Sequence, residues 1–229
     1  MRDQAPQTTM QLNSAVAACA KGKQWQKALS LIARAEVSGP RADVITYNAG
    51  MNACARGKQW QLSLILLQTI DRKSILSNTI SYNTAISACE RAGRWDSALA
   101  LLVLAAGHSV ECDVITYNTA LSSCEKGSQW QRALQLLCEF PTLALQPDLV
   151  TYNSTISALS GTDRWEAAIS FLEQMQSRQV TCDVVTYTAL ISLCEKGAHW
   201  QLAIALLTQM AVLRIQSNVL TQNATISAL

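Results

Sequence analysis

Charge is scarce in this chain. Asp, Glu, Lys and Arg make up 15% of its 229 residues and nearly cancel, leaving a formal +2 at neutral pH. Binding a polyanion through net charge alone is therefore excluded. Histidine is rarer still. Only His108 and His199 occur, and no CxxC pair accompanies them, so the spacing offers no metal site and no cofactor is implied. Four prolines and nine glycines are too few for a low-complexity linker. The longest apolar stretch, residues 98–106, is too short to cross a bilayer and reads as a buried helix. The opening residues, MRDQAPQTTM, lack the apolar run of a secretory signal and are too short for an organelle transit peptide. Eight cysteines with no such signal point to a reducing compartment.

What the chain does have is apolar content, 49%, enough to bury a core. It also has a period. The hexapeptide DVITYN stands at 43–48 and again at 113–118, with NTISYN midway at 78–83, an interval of 35 residues. Units start at Thr9, Val44, Thr79, Val114, Leu149 and Val184 without a gap, and a partial unit starts at Val219. All 6 tryptophans share one position of the unit and all 5 tyrosines share another. Chance does not do this.

Within a unit the apolar residues have helical spacing twice. In the third unit Tyr82, Ile86 and Cys89 form one stripe, and after Ala92-Gly93 a second stripe starts with Trp95, Leu99 and Leu102. Gly22, Gly57, Gly127 and Gly197 mark the same break elsewhere, while Pro40 and Pro147 fall between units. Each unit is a predicted helix–turn–helix hairpin. Tyr and Trp are expected to be core residues packing hairpin on hairpin, not a ligand cage. Cys19, Cys54, Cys89, Cys124 and Cys194 share a register with Leu159, which marks a small buried apolar site. A lone hairpin cannot bury its apolar face, so the units must stack. The expected fold is all-α, a right-handed α-solenoid of antiparallel hairpins forming one domain over 1–229, with units 9–43, 44–78, 79–113, 114–148, 149–183, 184–218 and 219–229. The abrupt start and the stop partway through a first helix read as a block of repeats from a longer protein.

Two positions are narrower than a solvated surface would be. The fifth residue of the unit is Asn13, Asn48, Asn83, Asn118 and Asn153, then Thr188, then Asn223. Asparagine is a mediocre helix former, so something selects a short side chain able to hydrogen-bond. The last residue is Asp43, Asn78, Asp113, Asp148, Asp183 and Asn218, all preferred helix caps. The second residue is always aliphatic: Met10, Ile45, Ile80, Ile115, Val150, Val185 and Leu220. The thirteenth is Lys21, Arg56, Arg91, Lys126 and Lys196, with Gly161 the exception. A cation is also favoured near a helix C-terminus by the macrodipole.

A gapless 35-residue hairpin opening on V-x-T-Y-N and closing on Asp or Asn resembles the pentatricopeptide repeat over essentially the whole chain. That resemblance implies single-stranded RNA as partner, read at one base per repeat. It assigns base reading to the fifth and last positions, base sandwiching to the second and phosphate contact to the thirteenth. The aliphatic column would equally suit an inter-repeat core. Carried over unit by unit, Asn13 with Asp43 implies uracil, and Asn48 with Asn78 a pyrimidine, cytosine first. Asn83 with Asp113, Asn118 with Asp148 and Asn153 with Asp183 each imply uracil, and Thr188 with Asn218 adenine. The implied target is 5′-U-Y-U-U-U-A-3′. Gln11-Leu12 and Gln222 depart from the motif at the ends, and unit five has Ser160-Gly161-Thr162 at its break.

The family resemblance also implies a role in mitochondrial or plastid RNA processing, stabilisation or translation, with other RNA-processing proteins as further partners and no membrane. A helical scaffold for a protein partner is the competing expectation. No enzyme is expected. Zinc deaminases need H-x-E and P-C-x-x-C, and neither His108-Ser109-Val110 nor His199-Trp200-Gln201 supplies them.

Overall fold

The structure, a computed structural model, describes residues 8–197 and 199–228. Among these residues every regular element is a helix. Seven are first helices of a repeat: α1 (Thr9–Lys21), α3 (Val44–Arg56), α5 (Thr79–Arg91), α7 (Val114–Lys126), α9 (Leu149–Ala158), α11 (Val184–Lys196) and α13 (Val219–Ala228). Six are second helices: α2 (Trp25–Ser38), α4 (Trp60–Arg72), α6 (Trp95–Gly107), α8 (Trp130–Glu139), α10 (Trp165–Ser177) and α12 (Trp200–Val212). The first helices begin on the residues where the 35-residue frame starts its units, and each second helix begins on its tryptophan.

The chain divides into two compact units, Met1–Ser123 and Cys124–Leu229, the boundary falling inside α7. In the first unit α3 packs against both α1 and α5, and α2 and α4 each lie against their own first helix and the next one. In the second unit α11 lies between α9 and α13, with α10 and α12 seated in the same way. Within each unit, first helices thus form one layer and second helices another.

The first-helix stripe is the buried one. Tyr47, Tyr82 and Tyr187 are fully buried, as are Met51, Ile86, Leu121, Ile156 and Ile191 one turn on. Cys54, Cys89, Cys124 and Cys194 are buried beyond them, Leu159 taking the same place in its repeat, while Cys19 is half-buried. Burial alone pushes the Cys54 thiol up to about 11, so it behaves as an inert apolar group. Two of the Tyr hydroxyls meet partners at the ends of second helices, Tyr47 donating to Glu36 at 2.6 Å and Tyr82 lying 2.8 Å from Nδ1 of His108, whereas that of Tyr187 is buried without one.

The second-helix stripe differs from the expected Trp95, Leu99 and Leu102. The buried residues of α6 are Ala98, Leu101, Leu102 and Ala105, whereas Trp95 and Leu99 are half-buried. The residue three places after each tryptophan is small and buried. Ala28, Ser63, Ala98, Ala133, Ala168 and Ala203 occupy that place, all at 0% exposure.

The tryptophans are therefore not core residues. Trp25, Trp60, Trp95, Trp130 and Trp165 are half-buried and Trp200 is exposed. Each ring opens a second helix, where no preceding turn covers it, and for Trp25, Trp60, Trp130 and Trp165 the interhelical turn of the next repeat supplies the cover instead. Arg94 stands 4.9 Å above the Trp60 ring, Arg164 stands 4.9 Å above Trp130, and His199 lies 4.7 Å from Trp165.

Gly57 belongs to the same contact. Its φ of −84° suits any residue, but a Cβ there would come 2.4 Å from Cδ1 of Trp25. The left-handed conformation falls one residue later, on Lys23, Lys58 and Ser128. There the chain turns back, and the N–H of Gln24, Gln59 and Gln129 bonds the carbonyls of Cys19, Cys54 and Cys124, each at 2.9 Å.

Candidate nucleic-acid interface

The last residue of a repeat is an N-cap. Asp43, Asn78, Asp148 and Asp183 each accept the N–H of the third residue of the next helix, and that residue's hydroxyl closes a capping box. Asp113 accepts from Thr116 N–H at 2.8 Å, and Asn218 from Thr221 N–H at 2.8 Å. The capping explanation of this column holds throughout.

The same side chains also reach backwards. The Asn13 amide donates to Oδ2 of Asp43 at 3.3 Å, Asn83 to Asp113 at 3.4 Å and Asn153 to Asp183 at 3.2 Å. A carboxylate at a helix start thus fixes the asparagine of the repeat before it. Asn48 has no such partner in Asn78, and its Oδ1 is buried without a hydrogen bond. Asn118 is buried, Asp148 caps α9, and Asn223 is exposed. Thr188 shares a hydroxyl–hydroxyl bond of 2.7 Å with Thr221 while Asn218 caps α13.

These carboxyls are held ionised. Burial works against the charge on Asp43, but the Thr46 N–H, the Thr46 hydroxyl and the Asn13 amide outweigh it and keep its pKa below the usual aspartate range. Asp113 and Asp183 are lowered by the same balance, with Thr116 and Asn83 on one and Thr186 and Asn153 on the other.

The second-position side chains stand in solvent. Met10 is 79% exposed, Leu220 67%, Ile115 65%, Ile80 62%, Ile45 58%, Val185 54% and Val150 53%. An inter-repeat core is thereby ruled out for this column, because a packed core position is dry. A row of bare aliphatic groups beside half-buried amides can take a flat apolar face and read its polar edge. Lys21, Arg56, Arg91 and Lys126 are exposed and each ends its first helix. Eleven residues separate the second and thirteenth positions, about 16 Å along the axis and about 20° around it, so both lie on one helix face. Lys196 ends α11, and its side chain lies outside the described residues.

A further column of side chains joins this arrangement. Thr46, Ser81, Thr116, Thr151, Thr186 and Thr221, the third residue of the second to seventh repeats, are fully buried. Thr46 donates to Oδ1 of Asn13 and Thr186 to Oδ1 of Asn153 at 2.7 Å. The signal was present as a run of Thr and Ser inside V-x-T-Y-N, read only as part of the motif.

Among the described residues no group of three His, Cys, Asp or Glu stands close enough to hold a metal, and no helix is long and apolar enough to cross a membrane.

A model of the PPR repeat family matches residues 112–161 and 147–196, and a model of the single PPR repeat matches 80–104 and 185–215, together more than half of the chain. The chain belongs to the pentatricopeptide-repeat family. No curated protein matches it in sequence. Among solved structures, maize PPR10 is 22% identical over 99% of this chain and 37% of its own, with a TM-score of 0.63. PPR10 in complex with an 18-nt psaJ RNA element is 23% identical over 98% of this chain and 31% of its own, with a TM-score of 0.73. The PPR domain of Arabidopsis thaliana protein-only RNase P 1, in complex with tRNA, is 14% identical over 78% of this chain and 94% of its own, with a TM-score of 0.68. These likenesses fix the pentatricopeptide-repeat fold. The chain spans about a third of the length of PPR10.

Proposed function

We propose that this chain binds single-stranded RNA along the row of first helices, one base per repeat, without catalysing a reaction. The observation that carries this reading is the amide–carboxylate pair repeated at Asn13–Asp43, Asn83–Asp113 and Asn153–Asp183, flanked by exposed aliphatic groups. An amide offers a donor beside an acceptor, as the Watson–Crick edge of a pyrimidine does. The flanking aliphatic groups give that base an apolar surface to stack on. Cations at the thirteenth position of five of the six full repeats, Lys21, Arg56, Arg91, Lys126 and Lys196, line up for phosphates, which a protein of low net charge needs. The RNA bound by PPR10 supports the same class of ligand.

The preferred target is 5′-U-Y-U-U-U-A-3′, read from Asn13 with Asp43 through Thr188 with Asn218. The setting is organellar RNA processing, stabilisation or translation in mitochondria or plastids, alongside other RNA-processing proteins. The test is binding of UCUUUA against the same oligomer with G as its third base, for the native chain and for Asn83→Thr. The native chain is expected to prefer U there and the variant to shift toward G. Indifference of both proteins to both oligomers would overturn base reading and favour a scaffold for a protein partner.

A further inference from the structure

The asparagines have two ends, and uracil and cytosine differ in which end they need. Uracil presents an N–H donor beside carbonyl acceptors, while cytosine presents a ring-nitrogen acceptor beside an amino donor. Turning an amide over exchanges its donor and acceptor, so an amide free to turn cannot tell the two bases apart. Something must fix its sense. A carboxylate begins the task, because it only accepts and so draws the amide nitrogen.

We infer that the buried third-position hydroxyls, Thr46 and Thr186, are positioning residues that complete this lock and make the preceding repeat's asparagine select uracil over cytosine. The inference rests on the base reading proposed above. At Asn153 the nitrogen donates to Asp183 at 3.2 Å and Oδ1 accepts from the Thr186 hydroxyl at 2.7 Å. A reversed amide would set its oxygen against the carboxylate and lose that bond, and its nitrogen could meet Thr186 only after the hydroxyl turned its hydrogen onto Asp183. Asn13 is held in the same sense by Asp43 and Thr46. One amide N–H and one lone pair of Oδ1 stay free for a base. Both hydroxyls are at 0% exposure, so they act through the asparagine and not on RNA.

The hydroxyl has a single hydrogen, and Thr186 also lies 3.0 Å from Oδ1 of Asp183. Where the cap keeps that hydrogen, the lock is open. Thr116 gives it to Asp113 at 2.7 Å and leaves Oδ1 of Asn83 buried without a partner. Ser81 gives it to Asn78 at 3.0 Å, and Oδ1 of Asn48 is likewise unpartnered. Bases one and five are thus read more strictly than bases two and three.

The test compares UCUUUA with the same RNA carrying C at base five, for the native chain, Thr186→Val and Thr186→Ser. Thr186→Val is expected to cut the uracil-over-cytosine ratio at base five about three- to tenfold, the worth of one hydrogen bond. The ratio at base three should stay at its native value, and Thr186→Ser should keep the native ratio at base five. Ser81→Ala controls for the cap. It removes a hydroxyl that bonds the cap Asn78 but does not reach Oδ1 of Asn48, so it should lower the melting temperature while leaving selectivity at base two unchanged. If Thr186→Val does not fold, Thr46→Val read at base one gives the same test. A variant that melts earlier but keeps the native ratio at its own base would reduce the hydroxyl to a cap and overturn the inference, with base reading intact. A native chain that does not distinguish bases at positions three and five overturns base reading itself, and this inference with it.

Discussion

The Arg94 guanidinium lies 4.9 Å above the ring of Trp60, so the turn of one repeat roofs the tryptophan of the repeat before it. Arg94 also pairs with Asp96 at 3.0 Å, but both are exposed and such pairs contribute little. The cation–π contact is the part that links repeats. Trp60→Ala is expected to cost about 2 kcal/mol in urea unfolding, well below the ~3–5 kcal/mol of a fully buried aromatic. Arg94→Ala should cost about 0.5–1 kcal/mol, and most of that should vanish in a Trp60→Ala background. An equal cost in both backgrounds would mean that the stacked contact contributes nothing.

Ser63 holds the buried place on its second helix that alanine holds on the other five, and its hydroxyl has no partner. An unmet buried hydroxyl costs about 1–3 kcal/mol, and alanine is also the better helix former. Ser63→Ala should therefore stabilise the protein by about 1 kcal/mol and raise its melting temperature. Calorimetry of the single variant decides it. A drop in melting temperature would place an unseen partner on the hydroxyl.

Both the hairpins and the tyrosine stripe were legible because tandem repetition sets many copies of one pattern in register, and chance variation cancels. Burial of the tryptophans was not, because i, i+4, i+7 spacing describes a helix face without saying what covers its first turn. Ala98 and Ala105 are too small to stand out, yet small size is what lets two helices close on each other. For Ile45 and its equivalents, the sequence supports a core and a bare platform equally, and only coordinates separate them. Thr186 was hidden for a different reason. A hydroxyl in a capping box has an adequate local explanation, and its second partner, Asn153, lies 33 residues away.

Acid should expose the caps. Asp113 has its pKa held below its ordinary 3.8: burial opposes ionisation, but the Thr116 hydroxyl and N–H and the Asn83 amide prevail. With the folded value lower than the unfolded one, the unfolded chain binds more protons as pH falls. The contribution of this carboxylate is therefore complete above about pH 4 and is lost as pH drops through the folded value. Asp43 and Asp183 act in the same window, and Glu36, lowered chiefly by its bond to Lys73, acts slightly above it. Asp113→Asn isolates one term, because asparagine caps a helix as well as aspartate does and already serves at Asn78. Its melting temperature should stay close to native near pH 7, and the gap between the two proteins should shift below pH 4, the variant falling less steeply. Parallel acid curves for the two proteins would mean that Asp113 titrates as freely in the fold as in the unfolded chain, and its bonds to Thr116 and Asn83 would then contribute no pH-dependent stability.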